Sequence, residues 1–378
     1  MGVKDYRKEN RYQRRRIKRQ WKVERLREKY DDYENVFSFK NLYRAYKRCR
    51  RHVSWKSSVQ KYIVNAPLHV FRTFKALMAQ KFKSSGFYEF WLCERGKLRY
   101  IRSVVMKERV VQRCLCDNAL VPMLQRTFIY DNGACMKDKG YSFANRRLNR
   151  HILRHTRRHG REGYVLIYDF RKFFDRVSHA LVKGIVDRTF RDKRIVKLTY
   201  HFIDAFGDVG LGLGSQVSQI LALASANKLD HIIKEKLRVK GYARYNDDGY
   251  LISESKEFLN YCKGVIRKTC NSLGITLNEK KTQIVKLSKF TWLKVRHLIT
   301  RENKQVRKIY RRSVTKERQN LKKFRKKVEC GEMSAADVNA SFVSWMGYAK
   351  NFNSWHTRNN MLNLFDELFG TQMKEGTA

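Results

Sequence analysis

Tyr242-Ala-Arg-Tyr-Asn-Asp-Asp-Gly-Tyr-Leu-Ile-Ser253 is the stretch whose reading decides the fold. Its residues alternate in polarity on either side of a polar centre, which predicts a β-hairpin with Asp247 and Asp248 at the tip. Adjacent carboxylates on a hairpin repel one another, so something must offset that repulsion. A divalent cation does so directly, and oxygen ligands are what Mg²⁺ prefers. Taken alone, such a pair is an ordinary surface turn, and its surroundings must decide.

Upstream, the β-rich run Tyr164-Val-Leu-Ile-Tyr168 ends at Asp169, a carboxylate set at the end of a buried strand and facing a cleft. Phe173, Phe174 and Asp175 follow it. Between this strand and the hairpin lies the junction Gly210-Leu-Gly-Leu-Gly-Ser-Gln-Val-Ser-Gln219, leading into a helical stretch over 215–240 with Ile220, Leu221, Leu223, Ala224 and Leu229 on its apolar face. After the hairpin come the basic segment Leu277-Asn-Glu-Lys-Lys-Thr282 and an aromatic strand, Phe290-Thr-Trp-Leu-Lys294. Towards the amino terminus, Phe87–Cys93 and Leu98–Val105 read as short strands joined by the turn Glu94-Arg95-Gly96, with a helix from Lys107.

The chain has 378 residues, with 83 Lys and Arg against 35 Asp and Glu, for a formal charge of +48. That excess is far beyond what solubility needs and calls for a polyanion. Nucleic acid is the expected one, bound with release of phosphate counterions. A membrane is not expected: no apolar run approaches the ~18 residues of a spanning helix, and the basic amino terminus lacks the apolar part of a signal peptide. A cytoplasmic location follows as an expectation. Hydrophobic residues at 42% and aromatics at 13% exclude wholesale disorder. The eight cysteines form no CxxC pair and read as ordinary thiols. Residues 1 to about 35 read as a basic helix or arm carrying Arg11, Arg14, Arg15, Arg16, Lys18 and Arg19. Residues 36–85 are amphipathic and helical, and helical patterning returns beyond about 303.

In this order the segments resemble the reverse transcriptase family over roughly residues 86–298. Asp169-Phe-Arg-Lys-Phe-Phe-Asp175 is similar to motif A, Gly214-Ser-Gln-Val-Ser-Gln219 to motif B, and Tyr245-Asn-Asp-Asp248 to the Y-x-D-D box of motif C. Lys97, Arg99 and Ile101 with Glu108–Gln112, then Gly133–Gly140, resemble the fingers motifs. The resemblance implies an α+β right-hand polymerase fold: a basic helical extension over 1–60, fingers over 61–160, a palm of antiparallel sheet with helices over 161–298, and an α-helical thumb over 299–378. It implies catalysis by Asp169, Asp247 and Asp248, which with the Phe170 carbonyl hold two Mg²⁺ ions, Mn²⁺ being an alternative. Lys97 and Arg99 are candidates for the incoming triphosphate, Phe174 for a gate against a ribose 2′-hydroxyl, and Gly214, with Leu213 and Gln219 beside it, for close approach to the nucleotide. Lys280 or Lys281 corresponds to the motif D lysine. Phe290, Trp292, Leu293 and Lys294 correspond to the primer grip.

Two departures stand out. Leu213 occupies the place of the glutamine in retroviral enzymes, and Asn246 replaces the more usual Ala, Met or Val of motif C. The Ser-Gln of motif B resembles diversity-generating retroelements, which implies template RNA, cDNA, deoxynucleotides, a structured RNA and a small accessory protein as partners. A phage-defence enzyme with a dedicated non-coding RNA, and a non-catalytic RNA-binding scaffold of the same fold, remain the alternatives.

Overall fold

The structure is a computed structural model that describes residues 3–94 and 97–375, with the side chains of 3–8, Glu94, Lys97 and 371–375 outside the description. Arg95 and Gly96 of the expected turn also lie outside it. Among the described residues nine strands follow in chain order: β1 (Phe87–Glu94), β2 (Lys97–Val104), β3 (Tyr164–Asp169), β4 (Gly241–Tyr245), β5 (Asp248–Ser253), β6 (Gln283–Lys286), β7 (Lys289–Trp292), β8 (Val295–Ile299) and β9 (Gln305–Ile309). They form a hairpin, a four-stranded sheet in the order β4-β5-β3-β6, and a three-stranded sheet in the order β7-β8-β9. All the strand pairings are antiparallel.

β3 is the spine of the central sheet. Val165, Leu166, Ile167 and Tyr168 are all buried, so the strand reads as a continuous apolar run instead of alternating. Leu166 and Tyr168, with Tyr242 and Leu251, face a cluster that includes Leu221 and Ile266 from the helices Gln216–Ser225 and Lys256–Ser272. Val165 and Ile167, with Ala243, Tyr250 and Ile252, face Ala144, Leu148 and Ile152 of the helix Tyr141–His159 and the rings of Phe290 and Trp292. Each buried aliphatic side chain contributes about 2 kcal/mol of transfer free energy, which fixes β3 between two layers.

Beyond the second sheet, the helices Arg311–Glu329, Ala335–Ala349 and Trp355–Glu375 pack around Leu321, Val338, Phe342, Met361, Phe365 and Phe369. Phe342 and Phe365 stack at 4.2 Å. The helical region expected from about 303 starts at Arg311, because residues 305–309 are taken up as β9. Gln305 shows why: its amide reaches Asn149 (3.0 Å) and His297 (3.2 Å), and pairing with β8 overrides the local basic pattern. The division expected at residues 298 and 299 falls within β8.

The amino-terminal helix Val3–Tyr30 is 28 residues long, about 42 Å. It is held near its carboxy-terminal end, where Arg191 grips Glu24 (3.1 and 2.9 Å) and Asp31 accepts from the backbone of Arg191 (2.8 Å) and Asp192 (3.1 Å). Its expected arginines, from Arg11 to Arg19, are largely exposed. Among the described residues no helix is long and apolar enough to cross a membrane. The eight cysteines are free thiols.

Two buried histidines give the fold a pH dependence. Burial, with Arg307 nearby, pushes His297 down to about 3; burial, with Lys234, Arg147 and Arg154 outweighing Asp131, pushes His151 down to about 4. Their unfolded-state pKa is ~6.5. Both are neutral above that value, so their contribution is full there and is lost as pH falls through 6.5 towards 4, where only the unfolded chain takes up the protons. The two histidines alone should withdraw about 4 kcal/mol between pH 7 and 5, while protonation of the Asp248 carboxyl, raised to about 7, returns about 1–2 kcal/mol over the same range. Urea midpoints across that range check this, and His297→Gln should make the drop smaller by about 2 kcal/mol.

Candidate active site

The sheet register builds the site. β3 and β5 pair so that Asp169 lies directly across from Asp248, and β4 and β5 pair from Tyr245 and Asp248 outward, leaving Asn246 and Asp247 as the turn. Asn246 takes the left-handed conformation (φ +53°), which asparagine tolerates better than most residues. The Phe170 N–H donates to the Asp247 carbonyl at 3.2 Å, tying the turn to the strand end. Three carboxylates thus meet at one end of one strand pair, against the preference for opposite charges across a ladder.

Electrostatics reflect this crowding. Burial, then the charges of Asp247 and Asp169, push the Asp248 carboxyl up to about 7. Burial and Asp169 also raise Asp247. Asp169 is buried, and its two oxygens are each taken by a donor: Asn278 Nδ2 at 3.0 Å on Oδ1 and Lys281 Nζ at 2.7 Å on Oδ2. Burial pulls the Lys281 ammonium down, but Asp169 outweighs it and the net shift is upward. With Asp169 turned onto these donors, no trio of His, Cys, Asp or Glu among the described residues forms a ready-made metal cage. The donor set nevertheless fits a hard divalent cation: oxygen ligands in excess, one of them raised by burial and by its two carboxylate neighbours.

The segment 276–282 is clamped beside β3 by Arg171 N–H to Thr276 O (2.8 Å) and Asn278 N–H to Asp169 O (2.8 Å). Of the two motif D lysines, Lys281 therefore reaches the carboxylates, while Lys280 points to solvent. Asn278 was not singled out by sequence reasoning, which read its segment only as basic.

Motifs A and B are also joined. The Leu211 N–H donates to the Phe174 carbonyl (2.6 Å) and the Gly210 N–H to Val177 O (3.0 Å), while His179 bonds the Gly210 carbonyl (2.7 Å). Gly210 (φ +89°) has no room for a side chain, since a Cβ would lie 2.7 Å from the Asp175 carbonyl oxygen. Phe174 is half-buried and meets Phe173 edge-on at 5.8 Å. Gly214 (φ +104°) is exposed against the Arg102 and Ser103 backbone of β2. Next to it Ser215 caps the helix Gln216–Ser225 through Ser218 N–H (3.1 Å) and donates to buried Gln112 (3.0 Å), so hairpin, helix and motif B share one junction. Leu213 is half-buried, and Gln219 lies exposed on the first turns of the helix.

Arg99 is exposed in β2, three residues from Arg102 along the strand, about 10 Å further towards the tip. The Lys97 side chain lies outside the description. In the aromatic strand, Phe290 and Trp292 turn inward, Phe290 stacking on His297 (5.0 Å) and Trp292 meeting Tyr250 (4.7 Å). Leu293 and Lys294 are not part of the strand as expected. They form its two-residue turn, both left-handed (φ +47° and +61°), because the β7–β8 hairpin closes from Trp292 to Val295. That geometry is costly for residues other than glycine.

Behind the turn runs a buried network. Asp230 accepts from Arg244 Nε (2.8 Å) and Nη2 (2.6 Å) and from the Tyr242 hydroxyl (2.5 Å), which meets the Tyr168 hydroxyl at 2.9 Å. Arg244 Nη1 then donates to the Asn246 carbonyl at 2.8 Å, so an ion pair in the core holds the Asn246–Asp247 turn. Asp230 and Arg244 each interrupt an otherwise apolar surface, and that was the available signal; nothing in the sequence pairs them.

This arrangement, a four-stranded antiparallel sheet with helices, carboxylates at one strand end, and an adjoining hairpin and helix bundle, is an α+β architecture of the polymerase type. The family described as reverse transcriptase (RNA-dependent DNA polymerase) matches residues 83–307, more than half of the chain. The chain belongs to that family, whose members are RNA-directed DNA polymerases and hence nucleotidyltransferases. It is similar to protein YkfC of Escherichia coli (strain K12), at 23% identity over 235 residues, covering 50% of this chain and 60% of YkfC. The match thus spans less than two thirds of that relative. Among solved structures, a Candida albicans telomerase in complex with a TWJ fragment of telomeric RNA aligns with TM-score 0.48 and 12% identity, over 70% of this chain and 55% of that one. An apo telomerase of Candida tropicalis, truncated from its C-terminal domain, aligns with TM-score 0.45 and 12% identity, over 58% of this chain and 54% of that one.

Proposed function

We propose that this chain extends a 3′-hydroxyl on an RNA template with deoxynucleotides, using Asp169, Asp247 and Asp248 as its catalytic carboxylates. The observation that carries the reading is the Asp169–Asp248 register with Asp247 in the adjoining turn. A scaffold that only bound RNA would have no use for three crowded carboxylates, one of them raised to about 7. The same three residues and the Phe170 carbonyl would hold two Mg²⁺ ions. When bound, such ions activate the attacking hydroxyl and neutralise the leaving pyrophosphate.

The protein's own groups supply the rest. Lys281, within reach of Asp169, holds positive charge where phosphate negative charge accumulates. Phe174 borders the nucleotide and excludes a 2′-hydroxyl, Gly214 with Leu213 and Gln219 lines the nascent pair, and Arg99 with Lys97 meets the triphosphate from the hairpin. Phe290 and Trp292 anchor the grip while the Leu293–Lys294 turn meets the primer. The extension covers 1–60, the fingers 61–160, the palm 161–298 and the thumb 299–378, with the β7–β9 sheet bridging the last two. The setting is a retroelement of diversity-generating type, supported by Ser218-Gln219 in motif B, with a structured RNA template and a small accessory protein.

The test is primer extension by purified protein with template RNA, deoxynucleotides and Mg²⁺. Asp247→Asn should reduce extension by at least ~100-fold. Undiminished extension by that variant would refute the site. Sequencing the nucleic acid that copurifies identifies template and primer together, and a phage-defence role is recognised by one dedicated non-coding RNA in place of a variable template.

A further inference from the structure

A strongly basic surface stands at the opposite end of the central sheet from Asp169 and Asp248. The helix Tyr141–His159 contains no acidic residue, and Arg150, Arg154, Arg157 and Arg158 all lie exposed on it. With Arg146, the series 146, 150, 154 and 158 repeats every four residues, a ladder of about 18 Å along one face. Like charges at this spacing destabilise a helix. Favourable placement at the helix carboxy terminus accounts only for those in the last turn.

A second segment converges on the same place. Arg238 and Lys240, on the turn leading into β4, line a groove of about 260 Å³ together with Arg154 and Arg158. Arg238 is left-handed (φ +53°), a conformation that arginine seldom adopts. The acids nearby are already engaged: Asp131 by Arg147 and Lys234, and Glu254 by His159. Among the described residues none of the six cations Arg150, Arg154, Arg157, Arg158, Arg238 and Lys240 is ion-paired with a carboxylate. The groove is walled by Ser253 and Glu254, beside the start of β3, about 17 Å along the strand from Asp169.

We propose that this arginine wall is a second nucleic-acid site, gripping the phosphates of double-stranded, structured RNA away from the polymerisation centre. An anionic membrane fits less well, because the helix's apolar face of Ala144, Leu148 and Ile152 is spent on the core and Leu153 alone of its large apolar side chains is exposed among the arginines, too little to insert. Duplex RNA is read largely through its phosphates and shape, which a rigid row of guanidinium groups suits. The site does not require the chain to polymerise.

The experiment measures binding of an RNA hairpin of about 16 base pairs, the span of a typical duplex reader, alongside extension of a short primer on an unstructured template. Combining Arg154→Glu, Arg158→Glu and Arg238→Glu should weaken hairpin binding by at least ~100-fold and flatten its salt dependence by about 2 to 3 in log–log slope. Extension should stay within about twofold, since no catalytic contact is touched. The corresponding Gln triple should show a smaller loss in the same direction with an unchanged Tm, which excludes unfolding as the cause. Unchanged hairpin affinity would overturn the proposal. So would a parallel loss of extension, which would make the wall part of the main cleft, or loss of phosphatidylserine-vesicle binding with hairpin binding intact. Should the wild type fail to polymerise, the binding arm still decides the question.

Discussion

Asp230→Ala is expected to lower unfolding free energy by about 3–5 kcal/mol, because it leaves the Arg244 guanidinium buried without its counter-charge. Both side chains are fully buried, and the Tyr242 hydroxyl loses its acceptor in the same step. The double variant Asp230→Leu with Arg244→Met should recover most of that stability, since an apolar pair of similar volume often replaces a buried ion pair at little cost. Activity should not return with it. Arg244 also donates to the Asn246 carbonyl, and without that bond the turn bearing Asp247 drifts. A misplacement of about 1 Å is enough for a ~100-fold loss in rate. Urea midpoints and single-turnover extension separate the two effects, and wild-type extension by the double variant would show that Arg244 is packing alone.

Asp248→Asn should do the opposite to stability while abolishing extension. The native carboxyl sits near pKa 7, against ~3.9 unfolded. A raised carboxyl contributes its stability in full below the unfolded value and loses it as pH rises through 7, so at pH 8 the ionised group is a burden. Asparagine removes that burden. Allowing for its partly exposed position, the gain is about 1–2 kcal/mol, or a Tm higher by about 2–4 °C at pH 8. Near pH 4 the two proteins should melt alike. Added Mg²⁺ should raise the Tm of the wild type and leave the variant nearly unmoved, by mass action on the folded state. A variant that melts below wild type at pH 8 would contradict the crowding of the three carboxylates.

The hairpin around Asp247, the strand ending at Asp169 and the order of the motifs were legible because each is local: alternation, a continuous apolar run, and glycines at fixed offsets. What depended on distant partners was not. β9 looked helical because only β8 makes it a strand, and the inward orientation of Phe290 and Trp292 is set by His297 and Tyr250, partners that no local pattern names. The choice between Lys280 and Lys281 needed the clamp at Asn278. In a chain of charge +48, the arginine wall could not be told from any other basic face until Arg238 and Lys240 arrived beside it.

Gly249 sits opposite Tyr168 in the β3–β5 ladder, where a Cβ would fall 2.2 Å from the tyrosine ring. That contact works as an indexing stop. Its neighbours in β5, Asp248 and Tyr250, both carry side chains, so sliding the strand by one residue in either direction would drive one of them into the ring and turn every other side chain to the wrong layer. The spacing between Asp169 and Asp248 is therefore machined into the sheet before any ligand arrives, and a chain that folds at all folds with its carboxylates in step.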